Sequence, residues 1–467
     1  MKKTVLLFNL IYLLFVIKID VWSEESVPVL IKVQSQEIIG KIKKVNGGNL
    51  APPLTEETQP HCNIRDDFSK MNIPVTRLHD APFENGGLRV VDVPLIFCNM
   101  NANANNPDNY YFEQTDDYIK NCIDAGTKVY YRLGTTIEHS ENKYFVHPPK
   151  DVKKWIDVVS NIIRHYTDGK WNGFHYDIEY WEIWNEPDLG PQMWTGTLDE
   201  FNDFYVRVST ELKKRFPHLK IGGPGHCSGE ESNVKNFLSV CAKHNAPLDF
   251  YSYHLYPSDD KEILEHPYFI RKWLDESGYT ETELHLNEWH YNPSGPGFWS
   301  FDRYKQGKLL KAAMETEGAA FINTILIGWQ DTPVDLGCYY TVTETRWGVF
   351  ENRKPTKSYY GMKAFGEVIK YENRLQLSSE NLPAGSRTLA GSDESGNMAI
   401  LTTMWKSGAR DLVFDVDNIN DYSRVEIYML DDTYNLEPIV ELENVSGKLK
   451  IKTASDSSVV LIKLLKN

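Results

Sequence analysis

Apolar positions along this chain change their period repeatedly. Short, near-continuous apolar runs fall at 73–78, 128–133, 177–184, 219–222, 248–253 and 283–287. Runs of that length predict strands buried on both faces. Between them apolar residues recur at helical spacing. In 151–166, for example, Val152, Trp155, Ile156, Val159, Ile162 and Ile163 share one stripe. The same spacing predicts helices over 114–125, 198–216, 232–244, 262–277 and 301–317. Two more strands complete the set: 42–45, ahead of the turn-rich Asn46-Gly47-Gly48-Asn49, and the apolar run 321–328, ahead of Trp329-Gln330-Asp331. Eight strands, most of them followed by a helix, predict an α/β fold, a (β/α)8 TIM barrel. Residues 90–100 break the alternation and read as a strand-like excursion in the second strand-to-helix loop. The Asn-rich piece 99–109 is then expected at the barrel's rim.

After a closing helix at 356–370 the pattern changes to short alternating segments separated by turn residues, which predicts a small all-β sandwich. The alternating stretch 27–36 is expected to add a strand to it. The plan is therefore a signal peptide at 1–22, an N-terminal strand within 23–39 packing on the sandwich, a catalytic barrel at 40–372 and a β-sandwich at 373–467. A length of 467 residues suits a large barrel plus one module.

Lys2 and Lys3 precede an apolar run at 4–17 that is short for a bilayer span, the form of an export signal. The protein is expected to be exported, periplasmic or secreted, with an uncleaved signal anchor as the alternative and no other membrane attachment. The net charge of −15 argues against a nucleic-acid partner. The six cysteines are scattered without a Cys-x-x-Cys pair, so no zinc site is expected. Their pairing is not readable from sequence.

In a barrel of this kind the site lies at the C-terminal ends of the strands. Those ends offer Arg77, His79 and Asp80 on the second strand, Arg132 on the third, Asn185 and Glu186 on the fourth, His254 and Tyr256 on the sixth, Glu288 and His290 on the seventh, and Trp329 and Asp331 on the eighth. A glutamate seldom ends a buried strand for packing reasons. Two of them, Glu186 and Glu288, three strands apart in the ring, would face each other across the mouth. A carboxyl pair is what glycoside hydrolysis needs. The acid must be kept protonated by burial or by a like charge. The nucleophile must be kept ionised by donors such as Arg77 or the Tyr256 hydroxyl. Glu182 and Glu344 read as structural, and Arg132 as a partner for a rim carboxylate.

The segment Trp181-Glu182-Ile183-Trp184-Asn185-Glu186-Pro187-Asp188 resembles the acid/base segment of glycoside hydrolase family 39, a family of retaining (β/α)8 glycosidases that holds β-xylosidases and α-L-iduronidases. Arg77-Leu78-His79-Asp80, Gly222-Gly223-Pro224, Ser252-Tyr253-His254-Leu255-Tyr256-Pro257, Asn287-Glu288-Trp289 and Trp329-Gln330-Asp331 are similar to that family's other strand ends, in order. The resemblance spans roughly 40–370 and implies Glu186 as acid/base and Glu288 as nucleophile. It implies Asn185 as a partner of the sugar 2-hydroxyl, His79, His254 and Tyr256 around the reacting sugar, and Trp329 stacked beneath it. Asn287 departs from the family's usual Thr, and the long loop 80–109 departs from the xylosidase pattern.

The expected function is that of an exported retaining glycosidase removing terminal sugars, pentosides first, from oligo- or polysaccharides. No cofactor and no metal are expected. The alternatives are an endo-acting glycanase, a uronide or galactoside hydrolase on the same barrel, and a carbohydrate-binding protein on an inactive barrel. Oligomeric state is not readable.

Overall fold

A computed structural model describes residues 27–51, 64–79 and 90–466. The proposed signal segment, Asp80, Cys62 and the first part of the long second loop lie outside the described residues. Eight parallel strands close into a barrel in chain order: Asn46–Asn49, Val75–Leu78, Lys128–Leu133, Tyr180–Ile183, Lys220–His226, Phe250–Leu255, Glu283–Trp289 and Leu336–Tyr339. Amphipathic helices ring it. Val152–Thr167 starts at an Asp151 cap, and Leu198–Arg215 starts at a reciprocal capping box between Thr197 and Glu200. The main apolar core lies between this ring and the strands.

Three elements differ from the sequence expectation. The first barrel strand is Asn46–Asn49 itself rather than 42–45. Its glycines permit close packing, since a Cβ on Gly48 would sit 2.2 Å from Val342 Cγ2. Residues 321–328 are not the eighth strand but the end of the helix Thr316–Gly328. This helix is wedged between the barrel and the β-domain, where Thr403 Oγ1 donates to Ala320 O and Thr324 Oγ1 donates to Gly385 O. A helix buried on nearly every side has no polar face, so its run of apolar residues mimics a buried strand. The true eighth strand is the short Leu336–Tyr339. Finally, Val93–Ile96 is one helical turn rather than a strand, tied to the third strand's end through Asp92, whose carboxylate accepts from the Thr136 backbone N–H and the Arg132 guanidinium.

The β-domain is built from one continuous nine-stranded sheet. Val29–Lys41 lies inside it, antiparallel to Asn373–Glu380 and parallel to Asp411–Val416. The sheet folds over on itself around a second apolar core, so that Ile427 and Val445 from one end face Leu449 and Ile451 from the other. Among the described residues no helix is long and apolar enough to cross a membrane. The five described cysteines are unpaired.

Candidate active site

Two backbone irregularities bring the carboxylates together. Trp184 and Glu186 both have positive φ (73° and 44°), a region that L-residues rarely adopt. The turn they make aims consecutive side chains, Asn185 and Glu186, at the mouth. Between the sixth and seventh strands Tyr253 pairs with Leu286 while His254 pairs with Glu288, so Asn287 is the extra residue of a bulge on the seventh. Asn287 then points down into the barrel and Glu288 up into the pocket. Gly225 closes the floor. A Cβ there would lie 3.1 Å from Glu182 Oε1 and 3.4 Å from His254 Nε2, at a φ of +64°.

Arg77 is the hub. Fully buried, it donates from Nε to Glu182 Oε2 at 2.7 Å, from Nη1 to Glu288 Oε2 at 3.2 Å and from Nη2 to Asn185 Oδ1 at 2.5 Å. Glu182 is itself held by Ser252 Oγ (2.7 Å) and Asn287 Nδ2 (2.6 Å). Burial works to raise its pKa, but Arg77 and these donors together hold it below the ordinary value. It is the structural carboxylate the sequence suggested.

Glu288 receives a second donor, the Tyr256 hydroxyl, at 2.5 Å on Oε1. Glu186 receives no arginine. Its Oε1 lies 2.7 Å from His254 Nδ1. Burial, reinforced by the charge of Asp188, lifts the Glu186 pKa to about 8. Burial also raises Glu288, and the Glu186 charge adds to this, while His254, Arg77 and Tyr256 pull it back down. The environments therefore separate the pair, with Glu186 held protonated and Glu288 supplied with donors. Burial depresses the pKa values of His254 and His79, while the Glu288 charge pulls that of His254 back up.

One oxygen each of Glu186 and Glu288 and one nitrogen of His254 lie within 4.8 Å of one another. That is also a spacing at which a cation is held. Here, however, both oxygens of Glu288 already accept from protein donors and Glu186 is kept protonated, so the donor set suits proton transfer better than metal binding.

A pocket of about 780 Å³ opens above the pair, and His79, Tyr256 and the two glutamates line it. Asn185 sits just beneath, buried, between Arg77 and His79. Trp329 is a correction. Its indole packs edge-on against Trp289 at 5.0 Å and donates to Ile263 O, inside the core, because it ends the wedged helix rather than a strand. Asp331 pairs with Arg374 of the β-domain, away from the pocket. Sequence reasoning missed Tyr340, Trp347 and Trp299, which supply the aromatic wall. Tyr340 directly follows the true eighth strand, so placing that strand at Leu336–Tyr339 would have found it. Trp299 and Trp347 sit on loops and left no periodic signal.

Fold and site together define a (β/α)8 barrel with a facing carboxyl pair on its fourth and seventh strands. Residues 76–282 match the family model "Glycosyl hydrolases family 39". Two curated relatives are named beta-xylosidase. The one from Geobacillus stearothermophilus is 28% identical over 176 residues, which is 32% of this chain and 34% of that protein. The one from Caldicellulosiruptor saccharolyticus is 27% identical over 248 residues, which is 49% of this chain and 44% of that protein. The matches thus span less than half the length of these relatives. Among solved structures, a glucosidase from Croceicoccus marinus superposes with a TM-score of 0.81 at 21% identity, covering 94% of this chain and 100% of that one. A monomeric beta-xylosidase from Caulobacter crescentus superposes at 0.71 and 15% identity, covering 94% and 99%. At such identities the likeness concerns the fold.

Proposed function

We propose that this protein is a retaining glycoside hydrolase in which Glu186 is the acid/base and Glu288 the nucleophile. The observation that carries the reading is the approach of the two carboxyl groups to within 4.8 Å at their nearest oxygens. Retaining enzymes hold the pair about 5–5.5 Å apart, whereas inverting enzymes leave about 6.5–9.5 Å for a water. Glu186 gives its proton to the glycosidic oxygen as Glu288 attacks the anomeric carbon, and the aglycone leaves. Glu186, now a carboxylate, takes a proton from water, which attacks the same carbon and frees Glu288. Arg77 and Tyr256 stabilise Glu288 each time it regains its charge. His79 meets the sugar hydroxyls from the pocket wall with Asn185 buried behind it, and Tyr340 and Trp347 give the sugar's apolar face a surface. Pentosides, xylosides first, are the favoured substrates because both relatives above are named beta-xylosidases.

Glu288→Ala is expected to lower kcat by about 10³-fold or more, with azide restoring turnover and yielding the glycosyl azide of inverted configuration. Unchanged hydrolysis of aryl glycosides by that variant would remove Glu288 from the mechanism. A panel of aryl xylosides, arabinosides, glucosides and galactosides then ranks the sugars. We further propose export, from Lys2, Lys3 and the apolar run behind them. Protein recovered outside the cytoplasm should begin near Ser23 on N-terminal sequencing. A cytosolic chain that keeps Met1 would overturn export alone.

A further inference from the structure

The loop carrying Trp347 is a wall with two sides. One side lines the catalytic pocket. The other faces a second groove of about 920 Å³ between the helix Arg303–Ala313 and residues 344–352. Arg303, Lys308, Lys311 and Arg346 line this groove, with Glu344 and Glu351 as its acidic members, in a chain whose net charge is −15. Lys311 is neutralised by Glu351 at 2.8 Å. Glu344 accepts the Arg353 backbone N–H. Asp302, nearby, caps the helix by accepting from the Lys305 backbone N–H.

The remaining groove cations, Arg303, Lys308 and Arg346, form no ion pair among the described residues. Elsewhere in the molecule Lys and Arg are repeatedly matched to carboxylates. Arg346 donates only to neutral oxygens, Gln306 Oε1 at 2.9 Å and Arg303 O at 3.4 Å. Partial burial and the neighbouring Arg303 charge depress its pKa. The Arg346 guanidinium thus lies against the Arg303 backbone and feels the Arg303 charge, and neither arginine forms an ion pair with a carboxylate among the described residues. Aromatic faces mark both ends of this stretch. Tyr304 is 74% exposed and lies under Lys308 Nζ at 4.6 Å. Trp299 is 60% exposed and 5.8 Å from Trp347 on the pocket side. An exposed aromatic face beside unpaired cations suits a sugar chain bearing negative groups.

We propose that this groove binds acidic groups, either uronate carboxylates or sulfate esters, on a glycan whose end occupies the catalytic pocket. The identity of the ligand as a glycan rests on the hydrolase reading above. The charged groove supplies the selectivity for acidic chains, and the pocket supplies the chemistry.

The test is binding without turnover. The full chain carrying Glu288→Ala is titrated with polygalacturonate, dextran sulfate and neutral dextran. At least one polyanion should bind tenfold or more tightly than dextran and weaken as salt is raised. Preference for polygalacturonate assigns uronates, and preference for dextran sulfate assigns sulfate esters. Adding Lys308→Ala and Arg346→Ala should weaken the preferred polyanion at least fivefold. Lys308→Glu should weaken it further, while Lys450→Ala on the β-domain should not. Dextran bound as tightly as the polyanions, or polyanion binding unmoved by the Lys308 and Arg346 changes, would overturn the proposal. Aryl-glycoside turnover by the unaltered chain is measured separately. Its absence would overturn the hydrolase reading and leave the binding result readable.

Discussion

At the scale of single residues, the division of labour between Glu186 and Glu288 follows from what each one touches. Glu288 accepts from Arg77 and Tyr256, and Glu186 faces the His254 imidazole and the charge of Asp188. The pH dependence follows with a definite sign. Glu186 must be protonated to act as acid, so kcat/KM should fall on the alkaline side with a midpoint near its pKa of about 8. Asp188 lies on the same turn and accepts the Cys227 backbone N–H at 2.9 Å. Removing its negative charge makes the Glu186 anion less costly, so Asp188→Asn should move the alkaline limb to lower pH. A limb that stays in place, or moves up, would show that Asp188 does not help hold the Glu186 proton. Trp329 gives a contrasting case. Being core rather than platform, Trp329→Ala should cost about 3–5 kcal/mol of stability. The fraction that folds should retain its KM for small glycosides, and a large rise in KM would return Trp329 to the sugar site.

At the scale of elements, the barrel was legible wherever a strand was long and its helix had a polar face. The second through seventh strands were found within a few residues, and with them Arg77, His79, Asn185, Glu186, His254, Tyr256 and Glu288. What failed had physical causes. Asn46-Gly47-Gly48-Asn49 has turn composition but is a strand, because only glycine tolerates the approach of Val342 and of Gly337 O. The bulge at Asn287 was hidden, since a regular strand would put Asn287 and His285 on one face and Glu288 on the other. In fact a polar column runs down the barrel axis. Asn287 Nδ2 donates to Glu182 Oε1 and to Tyr130 OH, and the Tyr130 hydroxyl lies 3.4 Å from His285 Nδ1. This column holds Glu182, Glu182 holds Arg77, and Arg77 holds the nucleophile. Asn287→Leu removes the donor to both acceptors inside the core. It should lower stability by about 1–3 kcal/mol in urea unfolding and reduce kcat more than it changes KM. A variant with wild-type kcat would show that the column supports folding alone.

At the scale of the whole molecule, the β-domain is not an appendage. The helix Thr316–Gly328 is buried on one side by the barrel's helices and on the other by sheet strands. Its length is apolar from Ala319 to Ile327 apart from Asn323 and Thr324. A barrel cut after residue 372 would bare the sheet-facing side of that helix to water, and would also lose the link from the sheet to the nucleophile strand. In that link Lys406 Nζ lies 2.9 Å from the Tyr291 hydroxyl and 3.0 Å from Glu317 Oε1, and Trp405 packs on Phe321 with ring centroids 5.1 Å apart. Tyr291 is three residues beyond Glu288 and turns the chain into the loop that carries Trp299. Residues 42–372 expressed alone should therefore be recovered mainly as aggregate, because an exposed apolar face of that size associates. The milder change Lys406→Met keeps the packing but removes the charge paired with Glu317. It should leave the protein folded, with a stability loss of about 1 kcal/mol or less, since the pair is partly exposed. A soluble, fully active 42–372 barrel would show instead that the two modules fold independently and that the wedged helix tolerates water on its sheet side.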